Sequence, residues 1–301
     1  MKNFLSIHDI SIYQFHAVLD LARDIKKNSS KFRLRMQNRI VALIYNRPLF
    51  QAKVSFEAGW LQMGGKLIPI SYNDLAAEMQ KDPTLPGKHL EQWVDGIYAV
   101  DFQQKFLSRL AHTCSVPVVN GKSDLFDPCR ALGDLFTFKE KIGDLAQAKL
   151  AYVGSDCSLC HSLLFACAKV GMEINITISD SFKPDAEIIK TAQEDGAESG
   201  ARFILTEDPA QAVRNADVIY LPEELYSTQE RGQKRGRSFH KNKESIIPFI
   251  KPAALIMNGS SWRQPHKNKN EIIDSTGSIV LEVADNKLHV QKAIMILLLN
   301  E

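Results

Sequence analysis

The sequence predicts an α/β protein with two doubly wound parallel-sheet domains. Short apolar runs alternate with helical patterns along the whole chain. Most of these runs are continuous rather than alternately apolar and polar, which is typical of parallel strands that are buried on both faces. The 301 residues are enough for two medium-sized domains, each with its own core.

The first half of the chain contains a long helical pattern followed by four strand candidates. The helical pattern lies at 11–28, where apolar residues recur at helical spacing. A second one, at 127–143, leads to a domain boundary that we place near 140–148. The strand candidates between them are RIVALIY (39–45), GKLIPI (65–70), GIYAV (96–100) and VPVVN (116–120).

The second half continues this alternation of strands and helices. A last helical pattern, at 286–299, has no strand after it, and we expect it to pack back on the first half. The predicted domains are therefore residues 1–140 with 285–301, and residues 145–284. The strand candidates are KLAYVG (149–154), INITIS (174–179), RFILTE (202–207), DVIYLP (217–222), ALIMNG (254–259) and SIVLEV (278–283).

Composition and charge exclude several classes of function. The net charge of +2 gives no general case for nucleic acid or a membrane surface as a partner. No run approaches the 18 apolar residues of a membrane-spanning helix. With no signal-peptide layout at the start, we expect a cytoplasmic protein with five free thiols. We expect no metal and no cofactor, because metal-ligand spacings and the Gly-x-Gly-x-x-Gly fingerprint are both missing.

The order of several segments resembles the aspartate/ornithine carbamoyltransferase family, and the ornithine branch most closely. The resemblance covers essentially the whole chain. It implies a carbamoyl-phosphate domain, an amino-acid domain, a C-terminal helix that returns to the first domain, and a trimer with active sites between subunits. The segments that carry it are VPVVNGKSDLFDPCRALGDLFTFKEKIG, KLAYVG with HSLLFACAKVGM, TEDPAQAVRNADVIY and ADNKLHVQKAIM.

The phosphate loop of that family is replaced in this chain. The family has Ser-Thr-Arg-Thr-Arg immediately before VSFE, and this loop holds the phosphate with hydroxyls, backbone N–H groups and arginine forks. A lysine is only a point charge by comparison. We therefore expect carbamoyl phosphate binding to be weaker by roughly a thousandfold or worse. This chain keeps VSFE at 54–57, preceded by Leu49, Phe50, Gln51, Ala52 and Lys53.

The other carbamoyl-phosphate positions also differ from the family pattern. The family's His-Pro-Cys-Gln motif, which polarises and orients the carbamoyl group, is Asp-Pro-Cys-Arg at 127–130. The carboxylate of Asp127 only accepts hydrogen bonds, so it repels a phosphate or a developing oxyanion. Asp127 also suits a helix N-cap, and Arg130 is expected to compensate in part by pairing with it. Two further family arginines fall on Val100 and Lys287.

The amino-acid site differs from the ornithine branch in the same way. Both asparagines of its Gly-Asp-Gly-Asn-Asn turn are missing at 154–158. The aspartate that holds the side-chain amine falls on a proline, although Glu223 and Glu224 follow it. The Ser-Met-Gly and His-Cys-Leu-Pro loops are replaced too. The altered positions are Cys157, Ser158, Pro222, Tyr226, Ser227, Asn258, Gly259 and Ser260.

Two other motifs have a structural and a functional interpretation. CSLCH at 157–161 matches a haem-attachment pattern or a redox pair, but inert thiols at a strand-to-helix turn are the default interpretation. The run at 231–243 carries six Lys or Arg residues and one His. Such a run is usually a solvated loop, and the alternative is a site for an anionic ligand or an acidic partner.

Three hypotheses for function follow. The first is a catalytically degenerate carbamoyltransferase that binds a small amino-acid or anionic ligand, or assembles as a homotrimer or with an active relative. It accounts best for the pattern in this sequence, where the scaffold motifs of the family are kept while its substrate-binding and catalytic positions are replaced. The second is an active transferase in which Lys53, Arg130, Lys287 and part of 231–243 rebuild the anion site. The third is a non-enzymatic protein that binds an acidic partner through 231–243.

Overall fold

The computed structural model of the chain forms two compact units. The first comprises Met1–Thr137 with Val283–Glu301, and the second comprises Phe138–Glu282. The end of the chain therefore belongs to the first unit. The structure describes residues 1–47, 49–82, 84–154, 157–178, 183–221, 246–258 and 279–299.

A four-stranded parallel sheet forms the centre of the first unit. Its strands are β1 (Ile40–Tyr45), β2 (Lys66–Ser71), β3 (Gly96–Phe102) and β4 (Val118–Ser123). They lie in the order β2-β1-β3-β4, and all neighbouring pairs are parallel. All four strand candidates of the first half are confirmed, although β4 begins at Val118 rather than at 116.

Helices cover both faces of this sheet, which explains why β1 and β3 are continuous apolar runs. On one face, Ala42 and Ala99 pack with Leu107 of the fifth helix. On the other face, the ring of Phe56 stacks on Tyr98, with the centroids 3.6 Å apart. The helices that begin in this unit are α1 (Ile12–Lys27), α2 (Phe50–Gln62), α3 (Tyr72–Lys81), α4 (Leu85–Leu90), α5 (Gln104–Thr113) and α6 (Pro128–Ile142).

The second unit contains a five-stranded parallel sheet. Helix α9 covers one face, where Ala212 and Val213 pack against Ala151 and Ile219. The strands are β5 (Lys149–Tyr152), β6 (Glu173–Thr177), β7 (Arg202–Thr206), β8 (Val218–Leu221) and β9 (Leu255–Asn258), in the order β7-β6-β5-β8-β9. The helices are α7 (Cys157–Val170), α8 (Ala186–Gly196) and α9 (Pro209–Val213). The prediction of two parallel-sheet α/β domains is confirmed.

The prediction of a strand at 278–283 is wrong, because the last helix, α10 (Val280–Leu299), begins within this segment. No glycine or proline separates the apolar residues of this segment from the helical pattern that follows, so the helix extends through them. The exposure of Leu281, at 69%, also differs from that of a strand buried on both faces. Among the described residues no helix, α10 included, is long and apolar enough to cross a membrane.

Candidate functional site

The loop between β1 and α2 offers few side-chain ligands to an anion. Leu49 occupies the position before the helix, where a hydroxyl or carboxylate would normally accept from the first N–H groups, and it makes no such bond. The ring of Phe50 is 72% exposed at the first turn, whereas Ala52 is buried. None of Leu49, Phe50 and Ala52 carries a hydroxyl that could bind an anion.

Lys53, the only basic residue among 49–53, is held by groups of its own chain. Its Nζ lies 2.7 Å from Oε1 of Glu57, one helical turn later, and 5.5 Å from the centroid of the Tyr45 ring. Both members of the ion pair are about three-quarters buried. An external anion would have to compete with Glu57 for this cation.

A second ion pair joins the loop after β1 to β3, and sequence reasoning missed it. Nε of Arg47 donates to Oδ2 of Asp101 at 2.6 Å, and Nη2 donates to Oδ1 at 2.8 Å. The hydrogen bonds to Asp101, and then its charge, raise the pKa of Arg47 above its ordinary value. Asp101 has φ +67, a left-handed conformation that no simple sequence pattern marks.

In β3, a buried apolar residue occupies the position where the family has an arginine. Val100 is fully buried and pairs with Tyr45 on one side. On the other side its partner in β4 is Lys122, at a register shift in the ladder. Lys122 is a half-buried cation at this edge of the sheet that sequence reasoning did not single out.

Asp127 and Arg130 lie at the start of α6, as predicted. The helix begins at Pro128, and the carbonyl of Asp127 accepts from the N–H of Ala131 at 3.1 Å, so Asp127 precedes the first turn. Its side chain is 3% exposed. Nε of Arg130 lies 3.9 Å from Oδ2 of Asp134, which is fully buried. A buried carboxylate therefore stands where the family has the histidine that polarises the carbamoyl group.

Behind Asp127 lies a small buried polar cluster that connects β3 to α10. Nε2 of Gln291 donates to the hydroxyl of Tyr98 at 2.7 Å, and a further hydrogen bond links that hydroxyl to the thiol of Cys129. Burial raises the pKa of Cys129 to about 12, although the nearby charge of Lys287 acts in the opposite direction. Lys287 is itself 8% exposed. Gln291 is itself 2% exposed, so its amide is part of this buried cluster.

Gly121 makes room for the Tyr98 ring, and this gives a stability prediction. A Cβ at position 121 would lie 2.3 Å from a carbon of the Tyr98 ring. We expect Gly121→Ala to lower the free energy of unfolding by about 1–3 kcal/mol, measured by urea denaturation. At Gly96, in the same sheet, the nearest atom would be 3.6 Å away, so Gly96→Ala is the control and should cost less. Equal losses in the two variants would contradict this.

Most of the predicted amino-acid site lies outside the described residues. That part comprises Pro222, Tyr226, Ser227, Gly259, Ser260 and the basic run 231–243. Cys157 begins α7, and the backbone of Asn258 ends β9. Ser158 is buried, and its carbonyl accepts from the hydroxyl of Ser162 at 3.1 Å. Of these three positions, Asn258 lies at the carboxyl end of a strand, whereas Cys157 and Ser158 lie in the first turn of α7.

The CSLCH motif lies in the first turn of α7. Cys160 is fully buried, and His161 is 3% exposed. Nε2 of His161 accepts from the backbone N–H of Asp185 at 3.2 Å, which gives this histidine a structural partner. The described residues contain no group of three or more His, Cys, Asp or Glu residues that could hold a metal ion.

The buried cysteines give a prediction on thiol reactivity. Only the thiolate reacts with a disulfide reagent, so raising the pKa of Cys129 from 9.0 to about 12 lowers its thiolate fraction at pH 8 roughly a thousandfold. Burial likewise raises the pKa of Cys114 to about 11 and raises that of Cys167. We expect these three, and the buried Cys160, to react with Ellman's reagent only after urea is added. Fast reaction of two or more thiols in the native protein would contradict this.

Comparisons with known protein families match both units of the chain. Residues 2–140 match the carbamoyl-P binding domain of aspartate/ornithine carbamoyltransferase, and residues 146–298 match its Asp/Orn binding domain. The ornithine carbamoyltransferase of Thermococcus kodakarensis is 33% identical, over 99% of this chain and 96% of that protein. That of Bacillus subtilis is also 33% identical, over 98% of this chain and 92% of that protein.

Solved structures give the same result. The ornithine carbamoyltransferase of Pyrococcus furiosus superimposes with a TM-score of 0.90 at 30% identity, covering 99% of this chain and 97% of that one. The enzyme of Gloeobacter violaceus gives 0.85 at 27% identity, covering 99% of each chain. The chain therefore belongs to the aspartate/ornithine carbamoyltransferase family.

Proposed function

We propose that this chain is a carbamoyltransferase-family protein that has lost carbamoyl transfer. It acts by binding a small anionic or amino-acid ligand, or by assembling as a trimer with its own copies or with an active relative. The observation that carries this proposal is the pairing of the basic side chains among residues 46–57. Both of them, Arg47 and Lys53, form an ion pair with a carboxylate of the same chain. No arginine fork among residues 49–53 is left for a phosphate.

The start of α6 supports the same proposal. Carbamoyl transfer develops negative charge on the carbamoyl oxygen, and donors aimed at that charge lower the barrier. The side chain of Asp127 is a buried acceptor at the position where the family has a donor. Replacing one positioned donor typically costs a hundredfold or more in rate, and a carboxylate adds repulsion.

The experiment that tests this proposal is a citrulline assay with carbamoyl phosphate and ornithine. We expect no citrulline above the uncatalysed rate at millimolar concentrations of both substrates. The ornithine carbamoyltransferase of Bacillus subtilis, assayed under the same conditions, is the positive control. Citrulline formation that scales with the concentration of this protein would overturn the proposal.

A second candidate is an active transferase with a rebuilt anion site. The observation that favours it is that relatives at 33% identity over nearly the whole chain are ornithine carbamoyltransferases. In this case Lys53 and Arg130 would bind the phosphate, and either Lys53→Ala or Arg130→Ala would abolish turnover. The same citrulline assay separates the two candidates, because only this one predicts turnover in the unmodified protein.

A further inference from the structure

The Arg47–Asp101 pair has the geometry with which arginine binds an external oxyanion. Two nearly equal bonds, at 2.6 and 2.8 Å, join two nitrogens of the guanidinium to the two carboxylate oxygens. Such parallel, two-pronged contacts are typical of arginine bound to a carboxylate or a phosphate. Here the oxyanion comes from the same chain, 54 residues further along.

The two partners differ in exposure. The side chain of Arg47 is 73% exposed, whereas that of Asp101 is 12% exposed. The carboxylate is therefore sheltered, while the guanidinium remains open to solvent on its other side. Asp101 also keeps a left-handed backbone, with φ +67, although it is not a glycine. Non-glycine residues in this region are uncommon and are a reason to look for a function.

The pair lies at the edge of the sheet where parallel α/β proteins bind ligands. The register pairs Tyr45 with Val100, and the N–H of Asn46 donates to the carbonyl of Val100 at 3.1 Å. Arg47 follows the last residue of β1 by two positions, and Asp101 is the penultimate residue of β3, so the pair lies at the carboxyl ends of these two strands. Ligands of open parallel sheets bind in this position.

We propose that Asp101 is a built-in anion that occupies Arg47 and keeps this edge of the sheet closed to an external phosphate or carboxylate. An external oxyanion must displace a carboxylate that the fold holds beside the fork at a high effective concentration. The inference rests on the proposed function and deepens it. The Arg47–Asp101 pair gives a specific reason, besides the missing arginines, why the unmodified chain should not bind carbamoyl phosphate.

The test is calorimetric titration with inorganic phosphate at low ionic strength. Asp101→Asn removes the charge, and Asn tolerates the left-handed backbone as Asp does. We expect this variant to bind phosphate on the order of tenfold more tightly than the unmodified protein, as one charge-assisted contact allows. The gain should disappear when Arg47→Gln is added to the same variant. Asp101→Gly, which suits φ +67 equally well, should give the same gain.

Two results would overturn the inference. One is unchanged phosphate affinity in both Asp101→Asn and Asp101→Gly, with urea unfolding midpoints like that of the unmodified protein. The other is a gain that persists in the variant that also carries Arg47→Gln. The citrulline assay on the unmodified protein tests the proposed function separately. If that protein makes citrulline while Asp101→Asn still gains phosphate affinity through Arg47, the proposed function fails, and the part of the inference that stands is the competition of Asp101 with phosphate for Arg47.

Discussion

Replacing residues 49–53 with Ser-Thr-Arg-Thr-Arg is expected to raise the affinity for carbamoyl phosphate by roughly a thousandfold. The change restores two arginine forks and three hydroxyls at the start of α2. Charge-assisted hydrogen bonds contribute about 1.5–3 kcal/mol each, and about 1.4 kcal/mol corresponds to a tenfold change in affinity. Calorimetric titration of the loop variant with carbamoyl phosphate measures the effect directly.

The control for this experiment isolates the two arginines. A loop of Ser-Thr-Gln-Thr-Gln keeps the three hydroxyls and the length of the restored loop but has no guanidinium. We expect it to recover only a small part of the affinity, because neutral hydrogen bonds contribute about 0.5–1.5 kcal/mol each. If the two loops bind carbamoyl phosphate equally well, or if neither binds it, loss of the arginine forks is not what closes the site.

Phe56→Ala is expected to destabilise the protein strongly. Phe56 is 1% exposed and lies between two rings, with centroids 3.6 Å from Tyr98 and 6.4 Å from Trp60. Truncating such a side chain leaves a cavity and typically lowers the free energy of unfolding by about 3–5 kcal/mol. Urea denaturation of the two proteins measures the difference.

Val54, in the same VSFE segment, provides the matched control. It lies two residues before Phe56 in α2 and is 41% exposed. We therefore expect Val54→Ala to change the free energy of unfolding by about 0.5 kcal/mol or less. A large loss in Phe56→Ala and a small one in Val54→Ala would show that this segment is kept for packing. Similar losses in both variants would contradict that interpretation.

The fold was predictable from the sequence because its elements have strong local signals. Nine strand candidates coincide with strands, since runs such as 40–45 and 96–100 have no charged residue and are bounded by polar residues. The exception at 278–283 is an apolar segment that continues into a helical pattern. A short apolar run of this kind is compatible with either a strand or a buried helix, and its periodicity does not distinguish them.

The site was only partly predictable. The residues that lost their chemistry, such as Leu49 and Val100, were identified by their place in the family pattern. The ion pair of Lys53 and Glu57 follows from i, i+4 helical spacing and was within reach of the sequence. The pair of Arg47 and Asp101 was not, because it depends on the register of two strands and on a left-handed residue at the end of one.

The most direct test of lost carbamoyl transfer is calorimetric titration of the unmodified protein with carbamoyl phosphate. We predict no saturable heat at millimolar ligand, because the loop lacks its arginine forks and the cations of residues 46–57 are paired within the chain. Saturable binding at micromolar concentrations would contradict this account. It would mean that cations such as Lys53, Lys122 or Lys287 have rebuilt the anion site.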